Sequence, residues 1–262
     1  MIPEYAVKEW NKTVPWHRNE QIEQDLIICR ALVELFNDEY LSKHLAFRGG
    51  TAIHKLYLQP QSRYSEDIDL VQIKAEPIKE TMDRIREILS FLGEPKIKQK
   101  VHNNTLIFRF DSEIPPVISI RLKVEINTRE HFNVLGLTQH NFNLNNQWFS
   151  GSCKVTTYHL EELLGTKLRA LYQRRKGRDL FDLYKAISTQ NLNIENIIRC
   201  YHEYIDFVVD NPPTQKEYLQ NMELKMQDKE FLSDTNLLLR PDDNYNPVEM
   251  WNLVRNQLIE KL

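Results

Sequence analysis

Glycine is scarce in this sequence. Seven glycines in 262 residues fall well below the roughly 7% of average usage, so each invites an explanation. Two of the seven are adjacent, Gly49-Gly50, and close approach of backbone to a ligand is one of the few tasks that only glycine performs. Also missing is any run near the ~18 uninterrupted apolar residues of a membrane span, so no membrane partner is expected. The start, Met1-Ile2-Pro3-Glu4-Tyr5, has neither the cationic opening nor the apolar core of a secretion signal. The three cysteines, Cys29, Cys153 and Cys200, are far apart, odd in number and in no Cys-x-x-Cys spacing. They read as reduced, packed thiols, and the protein is expected to be cytoplasmic. The eight histidines show no metal-binding spacing, and no serine or cysteine sits in a nucleophile motif. Charge of one sign is absent too: a net charge of −3 argues against a wholesale nucleic-acid coat and leaves only a local patch for such binding.

What is present is an ordinary globular balance, 41% hydrophobic and 27% charged, enough to bury a sizeable core. Residues 19–44 read as one helix, with Ile22, Leu26, Cys29, Val33 and Phe36 on one stripe. A short strand at 45–48, a helix at 51–58 and a strand over 66–71 follow. A helix at 78–92 and strands at 96–102, 104–111 and 117–127 come next. The asparagine- and aromatic-rich stretch 129–157 looks like a long irregular crossing. Helical patterns cover 158–175, 178–188, 193–208, 214–228, 229–239 and 247–260. The expected fold class is α/β, a small mixed-sheet lobe over 1–150 followed by an all-helical lobe over 151–262.

The acids come first among candidate functional residues. In Glu66-Asp67-Ile68-Asp69-Leu70, alternation along a strand sends both aspartates to one face. Hard oxygen ligands at that spacing suit Mg²⁺, which takes one or two carboxylates plus substrate phosphates, although acids at strand ends are also common turn and cap residues. The strand Ser119-Ile120-Arg121-Leu122-Lys123-Val124-Glu125-Ile126 alternates strictly, so Glu125 joins Asp67 and Asp69 if the two strands lie side by side. The alternative for this strand is a half-exposed surface with solvated charges.

Gly49-Gly50-Thr51 falls at a strand-to-helix turn, where free helix N–H groups can cradle phosphate oxygens. A tight turn with positive φ explains glycine there equally. The short return path over residues 51–66 brings Asp67 back beside that turn and favours the ligand reading. Lys167 lies inside the apolar arc of Leu160, Leu163, Leu164, Leu168 and Leu171. A buried ammonium needs an anionic partner: a triphosphate, or the three carboxylates. Arg178-Asp179-x-x-Asp182 opens a new helix after Gly177; the helix dipole accounts for one of those acids. Six cations in the twelve residues 167–178 form a candidate RNA-backbone patch.

Phe47-Arg48-Gly49-Gly50-Thr51-Ala52 followed by Arg63-Tyr64-Ser65-Glu66-Asp67-Ile68-Asp69-Leu70 resembles the first motif of the nucleotidyltransferase superfamily. The Arg-x-Ser-x-Asp-Ile-Asp-Leu form is similar to the AbiEii/AbiGii toxin family of bacterial toxin–antitoxin and phage-defence systems. Lys123-Val124-Glu125-Ile126, Lys167-Leu168-Arg169-Ala170 and Arg178-Asp179-Leu180-Phe181-Asp182-Leu183 resemble its later motifs, so the likeness runs from about residue 45 to 185. One departure is Gly50, where the wider superfamily commonly has serine; Thr51 or Ser65 would have to supply that hydroxyl.

The resemblance implies a nucleotidyltransferase lobe that moves NMP from NTP to an acceptor with Mg²⁺ or Mn²⁺. Asp67, Asp69 and Glu125 would hold metal, and Gly49, Gly50, Thr51, Arg63, Ser65, Lys167 and Arg178 would contact the nucleotide. Lys167 and Asp182 would complete the catalytic set. It implies RNA, tRNA above all, as acceptor and a cognate antitoxin as partner. Two other readings stand: a small-molecule or protein acceptor, and a non-catalytic nucleotide-binding regulatory protein.

Overall fold

The computed structural model describes residues 2–241, 243 and 246–262; Met1, Asp242, Asn244 and Tyr245 lie outside the described residues. The described strands are β1 (Leu45–Arg48), β2 (Asp67–Gln72), β3 (Lys96–Lys100), β4 (Asn103–Asp111), β5 (Ser119–Asn127), β6 (Leu137–Asn145) and β7 (Ser150–Tyr158). They form one sheet in the order β3-β4-β5-β2-β1-β7-β6. It is mixed: β2 runs parallel to β5 and β1 parallel to β7, while the other pairs are antiparallel. The alternation of the sequence decides which face is which. Ile68, Leu70, Leu122, Val124 and Ile126 are buried, and the charged residues between them stand on the opposite, open face.

Helix α1 (Glu4–Asn11) precedes α2 (Asn19–Asn37), which packs on β7. The apolar stripe of α2 is buried as expected, but so are Gln21, Glu23, Gln24 and Asp25. These polar residues are tolerated because each finds partners. Glu23 accepts from the N–H groups of Glu113 and Ile114 at 2.8 and 3.1 Å. Gln24 donates to the carbonyls of Glu66 and Arg121 at 2.8 and 3.1 Å, tying α2 to the residue before Asp67. The single helix expected over 19–44 is in fact two. Asp38 leaves the helical region and its carboxylate accepts from the Leu41 N–H at 2.7 Å, starting the short α3 (Leu41–His44).

The helix expected from residue 51 begins earlier, at Gly49: α4 (Gly49–Ala52) runs directly into a π-helical turn, Ile53–Tyr57. Helix α5 (Lys79–Ile88) follows β2. The largest difference from the sequence reading is at 129–157. That stretch is no irregular crossing, because β6 and β7 form a hairpin registered from Leu137↔Tyr158 to Asn145↔Ser150. Asparagine has low strand propensity, but β6 is an edge strand whose side chains mostly face water, and pairing to an interior strand overrides propensity. The division expected near residue 150 therefore falls inside this hairpin.

The helical part starts at α6 (Leu160–Gln173) and continues with α7 (Gly177–Thr189), α8 (Ile194–Val208), α9 (Gln215–Lys225), α10 (Lys229–Ser233) and α11 (Pro247–Gln257). Helix 229–239 of the sequence reading shrinks to α10, followed by turns. One apolar core runs through both parts, joining Phe47 and Ile68 of the sheet to Leu164 and Leu168 of α6 and Phe181 of α7. The segment after α10 returns to the sheet side: the Tyr64 N–H donates to the Leu238 carbonyl at 2.6 Å, and Leu239 bridges to Arg63. The loop that enters β2 is thereby tied to the segment that follows α10.

Candidate active site

The parallel pairing of β2 with β5 sets the acid cluster. Asp69 lies opposite Glu125 and Asp67 opposite Lys123, so all four side chains share the open face. Lys123 Nζ donates to Asp67 Oδ2 at 3.0 Å and lies 3.7 Å from Glu125 Oε1. Burial pushes the Asp67 carboxyl up to about 6, with Asp69 and Glu66 adding to the rise and Lys123 opposing it. Burial likewise raises Asp69, Glu125 adds to it, and Arg48 works against it. Two acids held in a state that disfavours their charge are characteristic of a functional site rather than a structural ion pair.

The glycine pair is explained by what it makes room for. Gly49 has φ +79°, and a Cβ there would lie 2.2 Å from Asp69 Oδ2. A Cβ on Gly50 would lie 2.3 Å from an Arg63 guanidinium nitrogen. The turn is thus bare so that Asp69 and Arg63 can lie directly against it. The first N–H groups of the helix that starts at Gly49 have no acceptor within the helix and border the same cavity. Thr51 is buried; its hydroxyl donates to the Asp67 carbonyl at 2.5 Å and lies 2.7 Å from Ser65 Oγ. Of the two hydroxyls offered for phosphate, that of Thr51 is engaged in fixing β2, while Ser65 lines the cavity.

Below the turn sits a buried ionic network. Arg63 makes a two-pronged contact with Asp182, Nε to Oδ1 at 2.6 Å and a terminal nitrogen to Oδ2 at 2.8 Å. His54 Nε2 meets the same carboxylate at 2.8 Å. Lys167 Nζ lies 3.0 Å from Asp179 and 2.9 Å from Asp182, and Arg174 reaches Asp179 at 2.6 Å. Burial alone would raise Asp182, but Arg63, Lys167 and His54 together hold it well below the usual carboxylate range. Burial and the nearby Arg63 push His54 down to about 4, so the ring is neutral at pH 7.

Within the protein Lys167 pairs with the two acids in the first turns of α7 rather than with the acids of the sheet, and it still lines the cavity. Asp179, for which the helix dipole offered a sufficient reason, is fully buried and holds both Lys167 and Arg174. Asp182, expected in the catalytic set, is fully buried behind Arg63 and Lys167 and acts on the cavity only through them.

A cavity of about 210 Å³ opens between sheet and helices, lined by Gly50, Thr51, Arg63, Ser65, Asp67, Asp69, Lys123, Glu125, Lys167, Arg174 and Arg178. A second, of about 240 Å³, shares Gly50, Asp69, Glu125, Lys167 and Arg174 with it and is walled by Arg48 and Arg169 on the far side. Glu130 binds both of those arginines, Arg169 at 2.6 Å and Arg48 in a close contact. Sequence reasoning put Lys123 on the polar strand face and Arg174 in the candidate RNA patch without giving either a place in this site, and it missed the roles of Arg48 and Glu130 and the burial of Asp179. The strand alternation that selected Glu125 also selects Lys123, and the cation density of 167–178 marks Arg174; no local signal marks Glu130.

The cations of 167–178 are largely committed. Arg169 pairs with Glu130, Arg174 with Asp179, Arg175 with Asp228 at 3.3 Å, and Lys176 and Arg178 with Asp234 at 3.3 and 3.8 Å. Among the described residues no three His, Cys, Asp or Glu side chains converge as a preformed metal cage. Asp67 and Asp69 nevertheless fit Mg²⁺, because their oxygens are hard donors, their charge is disfavoured by burial, and this ion commonly takes two carboxylates with the rest supplied by phosphate and water.

A bare strand-to-helix turn set against an Asp-x-Asp strand, with a third acid on a parallel neighbour, defines the nucleotidyltransferase class. The fold agrees. MenT4, a nucleotidyltransferase toxin of Mycobacterium tuberculosis, superimposes with a TM-score of 0.69 at 17% identity, over 100% of this chain and 91% of that one. JHP933 of Helicobacter pylori gives 0.51 at 18% identity, over 93% and 95%. Curated proteins compared by sequence give no match. The family model of the nucleotidyl transferase AbiEii toxin, type IV toxin–antitoxin system, matches residues 30–248, and the chain belongs to that family.

Proposed function

We propose that this toxin transfers NMP from an NTP to the 3′ end of an RNA acceptor, tRNA in particular, and so arrests translation until its antitoxin intervenes. The observation that carries the reading is the acid row Asp67, Asp69 and Glu125 facing a cavity whose lining also includes five cations, Arg63, Lys123, Lys167, Arg174 and Arg178, beside Glu66. A triphosphate needs that cationic wall, and transfer needs acids at the reacting phosphorus. In the reaction the acceptor oxygen bonds to the α-phosphorus while the α–β bridge breaks, releasing pyrophosphate.

Glu125 lies beside Asp69 and accepts the proton of the attacking hydroxyl. Arg174 and Arg178 meet the departing phosphates, and the N–H groups of Gly50 and Thr51 meet their oxygens. Lys167, fixed between Asp179 and Asp182, holds positive charge at the floor of the cavity without a flexible side chain having to be ordered in each turnover. Mg²⁺ or Mn²⁺, held by Asp67 and Asp69, would supply charge neutralisation of both attacking and leaving oxygens. No helix among the described residues is long and apolar enough to cross a membrane, and we place the reaction in the cytoplasm, in a phage-defence setting.

The test is incubation of the protein with labelled NTPs, divalent cation and total RNA, beside Asp69→Ala and a chelated control. RNA labelling lost in both controls is the expected outcome. Labelling of a small molecule or a protein instead would replace the acceptor, and no transfer to anything would leave only nucleotide binding.

A further inference from the structure

The helix cations that sequence singled out for RNA are paired internally, and the register of the sheet points to a different surface. Partners across a ladder project to the same face. Asp69, Glu125, Thr105 and Lys98 lie in one row across β2, β5, β4 and β3, and Asp67, Lys123, Ile107 and Lys96 lie in the next. Arg121 and Arg109 are direct partners farther along, and Lys100 lies opposite Asn103. The catalytic acids thus stand at one end of an open face that runs to the sheet edge. On β3 to β5 that face carries Lys96, Lys98, Lys100, Arg109, Arg121 and Lys123 against the acids Glu125 and Asp111.

Alternation makes the face one-sided. Gln99 turns to the other side and donates to Met82 Sδ of α5 at 3.8 Å, while β3 is exposed throughout and Arg109 and Arg121 are exposed. No salt bridge engages Lys96, Lys98, Lys100, Arg109 or Arg121 among the described residues. Lysines on an edge strand guard against edge-to-edge pairing, and that would account for β3 alone. It does not account for Arg109 and Arg121, which sit on interior strands and oppose each other directly. Like charges in that position are destabilising, and a bound polyanion removes the penalty.

We propose that this sheet face, from Lys123 to the β3 edge, is the docking surface for the phosphate backbone of the acceptor nucleic acid, which approaches the acid row along it. Lys98 lies three strand spacings from Asp69, ~14 Å, about the rise of four stacked nucleotides. The assignment rests on the nucleic-acid acceptor proposed above, and its charge is complementary to a polyphosphate chain.

The experiment uses the full chain and fluorescein-labelled bulk tRNA, with anisotropy read over a salt series. Variants are Arg109→Glu with Arg121→Glu, Lys96→Glu with Lys98→Glu and Lys100→Glu, and Arg175→Glu with Lys176→Glu as the helix control. Both sheet variants are expected to bind about tenfold or more weakly, with a shallower salt dependence, by roughly 0.7–0.9 in log–log slope for each phosphate that is no longer neutralised. The KM for RNA rises while NTP binding is unchanged, and the helix control binds as wild type does. Thermal melting identifies a reversal variant that unfolds, and Arg109→Gln with Arg121→Gln then replaces it. Wild-type affinity and slope in the sheet variants, or weakening confined to the helix control, would overturn the proposal. Competition by polyglutamate as effective as by RNA would do the same, since an acidic protein would then fit equally. Anisotropy reads binding without turnover, so failure of RNA labelling in wild type counts against the proposed function and leaves this test intact.

Discussion

Gly49 and Asp69 are in contact across the turn: a side chain on the glycine would begin 2.2 Å from the Asp69 carboxylate oxygen. One of only seven glycines in the chain stands where an acid of the candidate site must lie against the backbone.

Gly49→Ala follows directly. The left-handed φ costs a non-glycine residue roughly 1–2 kcal/mol, and the new methyl displaces Asp69. We expect RNA labelling to fall by at least about a hundredfold, with a melting temperature lowered by a few degrees. Near-normal activity in a folded Gly49→Ala protein would refute the contact.

Asp69 and Asp182 should part company when neutralised. Asp69 is held above the usual carboxylate value, so Asp69→Asn removes an unfavourable charge and leaves stability equal or higher while transfer drops by roughly a thousandfold. Asp182 is held well below it by Arg63, Lys167 and His54. Asp182→Asn strands the Arg63 and Lys167 cations and costs about 3 kcal/mol or more. Urea unfolding is expected to show a clear loss for Asp182→Asn and none for Asp69→Asn, and comparable destabilisation of both would count against the network.

Thr51 separates two roles for a hydroxyl. Its bond to the Asp67 carbonyl predicts that Thr51→Val loses about 1–3 kcal/mol of stability, with the KM for NTP little changed. A large rise in KM with stability intact would instead assign the hydroxyl to phosphate. Ser65→Ala, which leaves the bond to Asp67 in place, is expected to be milder.

His54 makes stability depend on pH. Its folded pKa, about 4, lies below the ordinary value near 6.5. The unfolded chain therefore binds more protons between those limits, and stability is fully present above ~6.5 and falls as pH drops toward 4. Asp182 extends the loss to lower pH, because its own depressed pKa is lost only as pH falls through it. In His54→Gln the decline between pH 7 and 5 should be shallower than in wild type, measured by urea midpoints; parallel profiles would contradict a neutral buried imidazole.

The sequence by itself determined the periodic elements and the faces of the strands. Strict alternation in 119–126 and the Asp-x-Asp spacing were enough to put Glu125, Asp67 and Asp69 on one side, because side-chain direction in a strand is a local property. The Gly-Gly turn was legible for the same reason. Tertiary structure alone decided which strands are neighbours, and parallel β2–β5 pairing turned a possible acid row into an actual one. It also decided where charge is spent. Lys167 and Asp179 looked like a phosphate ligand and a helix-dipole acid, yet packing of α6 on α7 makes them partners. The lysines and arginines of β3 to β5 looked ordinary, yet the ladder lines them up beside the acid row of the candidate site. The asparagine-rich hairpin was illegible because its strand is made by pairing rather than propensity. Local spacing fixes direction; only the assembled sheet fixes neighbours, and charge is governed by neighbours.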